Sequence, residues 1–288
     1  YDVPEQTRWR VLHTLEHLLQ EDEFGGSFES LLEDVGGILQ REYGGLRASS
    51  YVAARRSPHP VIEHFLCCDP EMALDFREAC FLSFQNSPRP ASVDAINQIF
   101  REEGIGYELS PWIETEVEDE TPRRSPPFGG KRIQITYPHF IRLENRHIHQ
   151  EVVVPCLSVL TNRDFKVANQ EILKAHSALR HGEWADAITG SAAAFESVLR
   201  TICTKKKWPF DAERDTCSRL VDICREKGLF PSFYADPLKF TGTIRNKLSG
   251  AHGRGPEPEH SVSAELAEHM IHLTSSHILM LVRRAGLE

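Results

Sequence analysis

No apolar run in this sequence approaches the length needed to span a bilayer, so a helical membrane anchor is not expected within it. The opening residues Tyr1-Asp2-Val3-Pro4-Glu5 lack the basic-then-apolar order of a secretory signal, and the expectation is a cytoplasmic protein. No two of its seven cysteines have the two-residue gap of a zinc knuckle. Several fall at apolar positions of helical patterns, such as Cys203 beside Val198, Leu199 and Ile202, and read as reduced, buried thiols. Cys67-Cys68 with His59 and His64 nearby invites a metal hypothesis, but adjacent side chains diverge on any regular element. Basic residues are in the minority, 33 Lys and Arg against 42 Asp and Glu, for a net charge of −9. Binding of nucleic acid by bulk attraction is thereby disfavoured.

The deficit is uneven. Residues 166–288 hold 17 basic against 15 acidic side chains, which leaves 33 − 17 = 16 against 42 − 15 = 27 for the rest. Any RNA contact is therefore expected locally, in the C-terminal half. At 288 residues, 40% hydrophobic and 26% charged, the chain is long enough for more than one compact core. We divide it into an N-terminal helical region 1–90, an α+β region 91–162 and a C-terminal helical domain 163–288.

In the first region Trp9, Val11, Leu12, Leu15, Leu18 and Leu19 recur at helical spacing over 5–20. Ser27 can cap a second helix over 28–43, and two more follow at about 61–67 and 70–84. Nothing in this region reads as catalytic. The texture changes at Ser92: a helix over 92–103 runs into a strand within 104–109, and the alternation Arg132-Ile133-Gln134-Ile135-Thr136 predicts its hairpin partner. Between them the acidic, then Pro- and Gly-rich stretch 114–131 predicts a mobile loop. His139, His147 and His149 crowd the next segment. The His147-x-His149 spacing would put two rings on one face of a strand, yet no cysteine or second carboxylate falls into register. We read these histidines as surface or interface groups, and no metal or cofactor is expected.

From 149 onward the pattern is helical: 149–160, 166–180, a long Ala-rich helix over 183–205, then 213–227, 237–248 and 261–285. Trp184, Ala187, Ile188, Phe195, Val198, Leu199 and Ile202 give the long helix one apolar face, and Leu266, Met270, Leu273, Ile278 and Leu281 do so for the last. The first pair has the look of a tetratricopeptide unit, but no copy recurs at a period of 34.

Chemistry concentrates in Arg245-Asn246-Lys247-Leu248-Ser249-Gly250-Ala251-His252-Gly253, where six residues separate a permanent cation from a titratable imidazole. Arg245 can hold a phosphate and His252 can move a proton, the division of labour that metal-free RNA cleavage needs. The plainer reading is a helix C-terminus capped by Gly250, with Asn246 and Lys247 solvated. Glu196 likewise has two readings: an i,i+4 surface pair with Arg200, or a carboxylate that faces the Arg/His pair across the bundle. Lys205, Lys206 and Lys207 beside Trp208 and Phe210 could track phosphates and stack a base, or simply suit a helix C-terminus.

The run from Arg245 to Gly253 resembles the Arg-x(4–6)-His signature of the HEPN superfamily, in the form carried by the C-terminal domain of abortive-infection proteins. Upstream, Ala187-Ile188, Ala194-Phe195-Glu196, Leu199 and Leu220-Val221 resemble that domain too. The resemblance covers roughly 166–285, and a fainter one reaches back to about 90. Joined to the patterns above it gives a mainly α fold: an N-terminal helical region with a small β-hairpin insertion, followed by a HEPN-like helical bundle. By the same resemblance the chain is a metal-independent endoribonuclease of anti-phage defence, leaving 2′,3′-cyclic phosphate ends. Two copies would bring their motifs into one cleft. Arg245 would stabilise the transition state and His252 would act as base or acid. Asn246 and Glu196 would position them, while Lys247 and Arg254 would hold neighbouring phosphates. The implied partners are tRNA or mRNA, a second copy or higher oligomer, and possible companion defence or regulatory proteins. The near-neutral charge of the C-terminal half and the long spacer keep a second reading open: a non-catalytic dimerisation or partner-binding module of a defence or toxin–antitoxin system.

Overall fold

A computed structural model describes residues 3–20, 27–43, 59–83, 90–118, 131–143, 146–248 and 262–288. It divides the chain into two compact units, Tyr1–Arg142 and Leu143–Glu288. The stretch 91–162 is therefore shared between them rather than standing as a region of its own.

The N-terminal unit is built on five helices, α1 (Glu5–Gln20), α2 (Phe28–Tyr43), α3 (Pro60–Cys67), α4 (Pro70–Leu82) and α5 (Pro90–Glu102). Their starts follow sequence chemistry: Pro60 and Pro70 stand in the first turns, where a missing N–H costs nothing, and the side chains of His59 and Asp69 accept from Val61 and Met72 amides. The helices close on one core that includes Val11, Leu15, Leu31, Val35, Phe65, Phe76, Phe81, Ile96 and Phe100. Inside it the Arg77 guanidinium is fully buried, 4.6 Å from the Phe100 ring centre, 5.2 Å from Phe65 and 5.9 Å from Phe140.

The sheet differs from the hairpin expected. The strand β1 (Tyr107–Leu109) pairs antiparallel with β4 (Phe140–Arg142), while β2 (Ile113–Glu118) pairs with β3 (Lys131–Thr136), Ile113 opposite Thr136 and Glu118 opposite Lys131. The strand over 132–136 thus takes its partner from within the stretch 114–131 that reads as a loop, and only 119–130 of it lies outside the described residues. The reason is visible in Ile113-Glu114-Thr115-Glu116-Val117-Glu118. Its two-residue alternation is that of a strand, obscured by three glutamates, and it gains its hydrogen bonds from β3. The other edge of β1 is closed by Asn97 of α5, whose amide donates to the Leu109 carbonyl (3.1 Å) and accepts from its N–H (2.7 Å).

The second unit is helical. A short helix α6 (Arg146–Ile148) passes through a π-type turn (His149–Val153) into α7 (Val154–Leu160). Pro155, in the first turn of α7, has no N–H to continue the ladder, which accounts for the wide turn. Then follow α8 (Lys166–Arg180), α9 (Trp184–Lys205), α10 (Cys217–Glu226), α11 (Ala235–Leu248) and α12 (Ala264–Ala285). The α10 helix starts four residues later than the pattern predicts, because Thr216 caps it by accepting from the Arg219 amide. The α8–α9 hairpin is tight: an added Cβ on Gly190 would stand 3.3 Å from the Ala175 Cβ and 3.4 Å from its Cα. Helix α9 runs through the centre with Ile188, Phe195, Val198, Leu199 and Ile202 fully buried, and packs against α8, α10, α11 and α12. Two residues assigned to apolar faces end at the surface instead, Trp184 and Leu266, each in the first turn of its helix. Among the described residues no helix is long and apolar enough to cross a membrane.

Candidate functional site

Helix α11 buries Ala235, Leu238 and Thr241 on one side, and Arg245 continues that stripe four residues after Thr241. Its side chain is therefore aimed inward at α9. There its Nη1 donates to Glu196 Oε2 at 3.0 Å, with side-chain exposures of 37% for Arg245 and 19% for Glu196. The other carboxylate oxygen, Oε1, accepts from Arg200 Nη2 at 2.8 Å and Nε at 3.2 Å. Glu196 thus holds its i,i+4 neighbour Arg200 on one oxygen and Arg245 of α11 on the other.

Arg200 does more than pair. Its Nη1 donates to the Ala212 carbonyl (2.7 Å) and Nη2 to that of Asp215 (3.0 Å), so it lashes the loop before α10 onto α9. That loop leads through the Thr216 cap to Cys217, and Cys217 lies against Gly242 of α11, where an added Cβ would meet its Cβ and Sγ at 3.3 Å. Gly242 is one turn before Arg245. The site is therefore a closed circuit in which α9 fixes α10, α10 receives α11, and α11 returns Arg245 to α9. The Cys217 thiol registers this surrounding. Burial first, then the Glu196 charge, push it up to about 12, while Arg245 and Arg200 oppose the rise.

One carboxylate between two guanidiniums leaves the trio with a net charge of +1. Half-exposed Arg245 keeps further N–H donors for an anion. Asn246 and Lys247 are exposed, turned roughly 100° and 200° around the helix from Arg245. The structure thus does not bring Asn246 to Glu196. His252 and Arg254 lie outside the described residues, as does the Gly250 cap.

The three lysines stand apart from this cluster. Lys205 is nine residues beyond Glu196, roughly 14 Å along the axis, and its Nζ pairs with Asp164 Oδ2 at 2.6 Å. Lys206 and Lys207 are exposed in the turn that ends α9, with Lys207 at φ 55° and Trp208 N–H closing back on the Cys203 carbonyl at 2.9 Å. This is the ordinary chemistry of a helix end, and Trp208 is half-buried there.

The histidines need correcting. His147 is exposed and His139 is half-buried against Glu78 (3.1 Å), but His149 is 4% exposed and so is no surface group. His147 and His149 lie on helical turns, not on a strand, so two positions apart they diverge rather than converge. Among the described residues no group of three or more His, Cys, Asp or Glu could hold a metal ion. His149 instead faces the core with His176 of α8. Burial, then the neighbouring His149 and His272, push the His176 imidazole down to about 3. His277 of α12, between Phe195 and Tyr234, is pushed down to about 4 by burial.

Sequence reading missed the loop tether of Arg200 and the Gly242–Cys217 approach, because both are contacts to residues distant in the chain. Only the spacing of Gly242 and Arg245, one turn apart, hinted at a shared face. Comparison with known families places a match to Abi_C, a HEPN-like domain, over residues 166–285. No curated protein matches the chain, and no solved structure does.

Proposed function

We propose, from a chain whose residues 166–285 match the model of Abi_C, a HEPN-like domain, that this protein is a defence effector that cuts RNA without a metal. The HEPN-like Abi_C domain fits an abortive-infection module. The observation that carries the finer reading is Arg245: a half-exposed guanidinium fixed on one side by Glu196 Oε2 and free on the other to receive a phosphate. Fixing the cation beforehand is what makes it useful, since a preorganised donor stabilises developing charge without reorganising as the reaction proceeds. His252 follows Leu248, the end of α11, by four residues and takes the 2′-hydroxyl proton. The 2′ oxygen then attacks the adjacent phosphorus, the P–O5′ bond breaks, the 5′ oxygen leaves as a hydroxyl by taking up a proton, and a 2′,3′-cyclic phosphate remains. Glu196 is a positioning residue, and Arg200 holds Glu196. A second copy of the chain supplies a second Arg245 and His252 to the same cleft, and tRNA or mRNA is the substrate. Lys247 and Arg254 carry flanking phosphates.

The test is cleavage of RNA by purified protein in excess EDTA, with Arg245→Ala and His252→Ala beside the native chain. Loss of roughly 10²–10⁴-fold for His252→Ala and 10²–10³-fold for Arg245→Ala, with cyclic phosphate ends on the native product, is the expected result. Equal rates in all three overturn the catalytic reading. The Arg245–Glu196 pair then stands as a structural ion pair of a non-catalytic dimerisation or partner-binding module.

A further inference from the structure

Cys203 and Cys224 lie on neighbouring helices, α9 and α10, with their sulfurs 4.0 Å apart and both residues fully buried. That is van der Waals contact between sulfurs, and a disulfide at about 2.05 Å needs each Sγ to swing roughly 1 Å. Both residues occupy the last turn of their helix, since α9 ends at Lys205 and α10 at Glu226. Cys203 is followed by a turn in which Lys207, not a glycine, holds φ 55°. Such helix ends are the first segments to open, and a strained turn opens more readily than a relaxed one. This supplies a route by which a small oxidant reaches sulfurs that the static structure encloses.

We infer that Cys203 and Cys224 are a modification site: a thiol pair that a hydroperoxide converts to a reversible disulfide pinning α9 to α10. The two thiols are not equivalent. Either S–H can donate to the other sulfur, but Cys203 is placed as the first nucleophile because its helix end adjoins the Lys207 turn that opens. Its thiolate attacks one peroxide oxygen, the O–O bond breaks, and the departing hydroxide takes up a proton as water, leaving Cys203 as a sulfenic acid. Cys224 then gives up its proton and its sulfur attacks the Cys203 sulfur. The S–O bond breaks and a second water leaves. Two thiols and one hydrogen peroxide become one disulfide and two waters, the two electrons passing from the sulfurs to the peroxide. The crosslink fixes α10 near its C-terminus, while its first residue, Cys217, already abuts Gly242 of α11. All three helices that frame Glu196 and Arg245 are then tied together. The inference does not depend on the nuclease reading, because its readout is covalent.

The sequence makes the test clean. Trypsin releases Cys203 in 201–205 and Cys224 in 220–225, separate from the peptides that hold Cys217, Cys67 and Cys80. The full-length folded chain is treated with hydrogen peroxide, alkylated and digested without reductant. The expected result is a linked 201–205/220–225 pair, about 2 Da lighter than the two free thiol peptides together, that dithiothreitol separates. Cys203→Ser and Cys224→Ser each abolish the link. The inference is overturned if both peptides emerge alkylated from a sample in which exposed Cys67 has been oxidised. It is equally overturned if the link forms only in urea.

Discussion

His176 and His277 are held neutral inside the C-terminal unit, at about 3 and about 4 respectively, by burial above all. An unfolded histidine titrates near 6.5, so below that pH the unfolded chain binds protons that the folded one refuses. The stability present above pH ~6.5 is therefore lost as pH falls toward 4, by roughly 1.4 kcal/mol per unit for each of the two groups. Urea titrations between pH 7 and 4.5 will show the unfolding midpoint falling. His277→Phe, which keeps the ring packing with Phe195 and Tyr234, will flatten that slope. Arg77 poses the opposite question in the other unit. Its guanidinium is fully buried, with none of its three nitrogens hydrogen-bonded, and burial pushes it down to about 9, so it is a cation at neutral pH resting only on three Phe rings. Cation–π contacts of about 2 kcal/mol each when desolvated set the gain, against a desolvation cost of several kcal/mol and three unbonded nitrogens. Arg77→Met is accordingly expected to leave the midpoint of denaturant unfolding unchanged or higher. A loss above about 2 kcal/mol would mean that the ring cage outweighs the burial cost.

At the scale of elements, two glycines separate helix propensity from packing. Gly190 lies where an added Cβ meets the backbone of Ala175, and overpacking there costs ~1–3 kcal/mol, more than the ~1 kcal/mol that alanine offers a helix. Gly37 of α2 has the same propensity deficit, but its Cβ would meet only the tip of Arg41 at 4.0 Å. Gly190→Ala is expected to lower the melting temperature and Gly37→Ala to raise it, as calorimetry of the two variants will show. Arg200 is the corresponding element-level joint of the site. Arg200→Gln removes its bonds to the Ala212 and Asp215 carbonyls. Amide hydrogen exchange across 211–216 is therefore expected to quicken, while Arg245 retains Glu196. On the proposed reading, RNA cleavage by this variant should fall less than that of Glu196→Ala, which removes the carboxylate that fixes Arg245.

The whole molecule is two cores in one chain. All residues of the N-terminal core lie within 3–140, and Val153, Phe165, Phe195, Leu199, Leu220, Leu238, Met270 and Leu281 are buried in the second unit. A fragment covering 143–288 is expected to fold alone with a helical circular-dichroism spectrum and one cooperative transition. A fragment cut at 163, in contrast, loses α6 and α7 with buried Val153, Cys156, Leu157 and Leu160, and should be markedly less stable.

Local pattern determined much of this protein by itself. Apolar residues recurring every three or four positions marked α1, α2, α8 and α9 nearly to the residue, since a helix satisfies its own backbone and needs only one buried face. The Arg-Asn-Lys-Leu-Ser-Gly-Ala-His-Gly run likewise pointed to the HEPN-like family whose model matches residues 166–285. Strand pairing was beyond reach of local reading. The acidic segment 113–118 became a strand only because β3 supplied its hydrogen bonds, and β1 found its partner at 140–142 rather than at 132–136. Tertiary structure alone decided which neighbour Glu196 holds: its i,i+4 partner Arg200 is local, whereas Arg245 lies 49 residues away and is delivered by the close approach of α11 to α10 at Gly242. It also decided the fate of His149, since packing of its helical turn against α12 made a core residue of a histidine read as a surface or interface group. Periodicity is a property of a segment and can be read there. Pairing, burial of a particular imidazole and the aim of a guanidinium belong to two or more segments at once, and exist only when the fold brings them together.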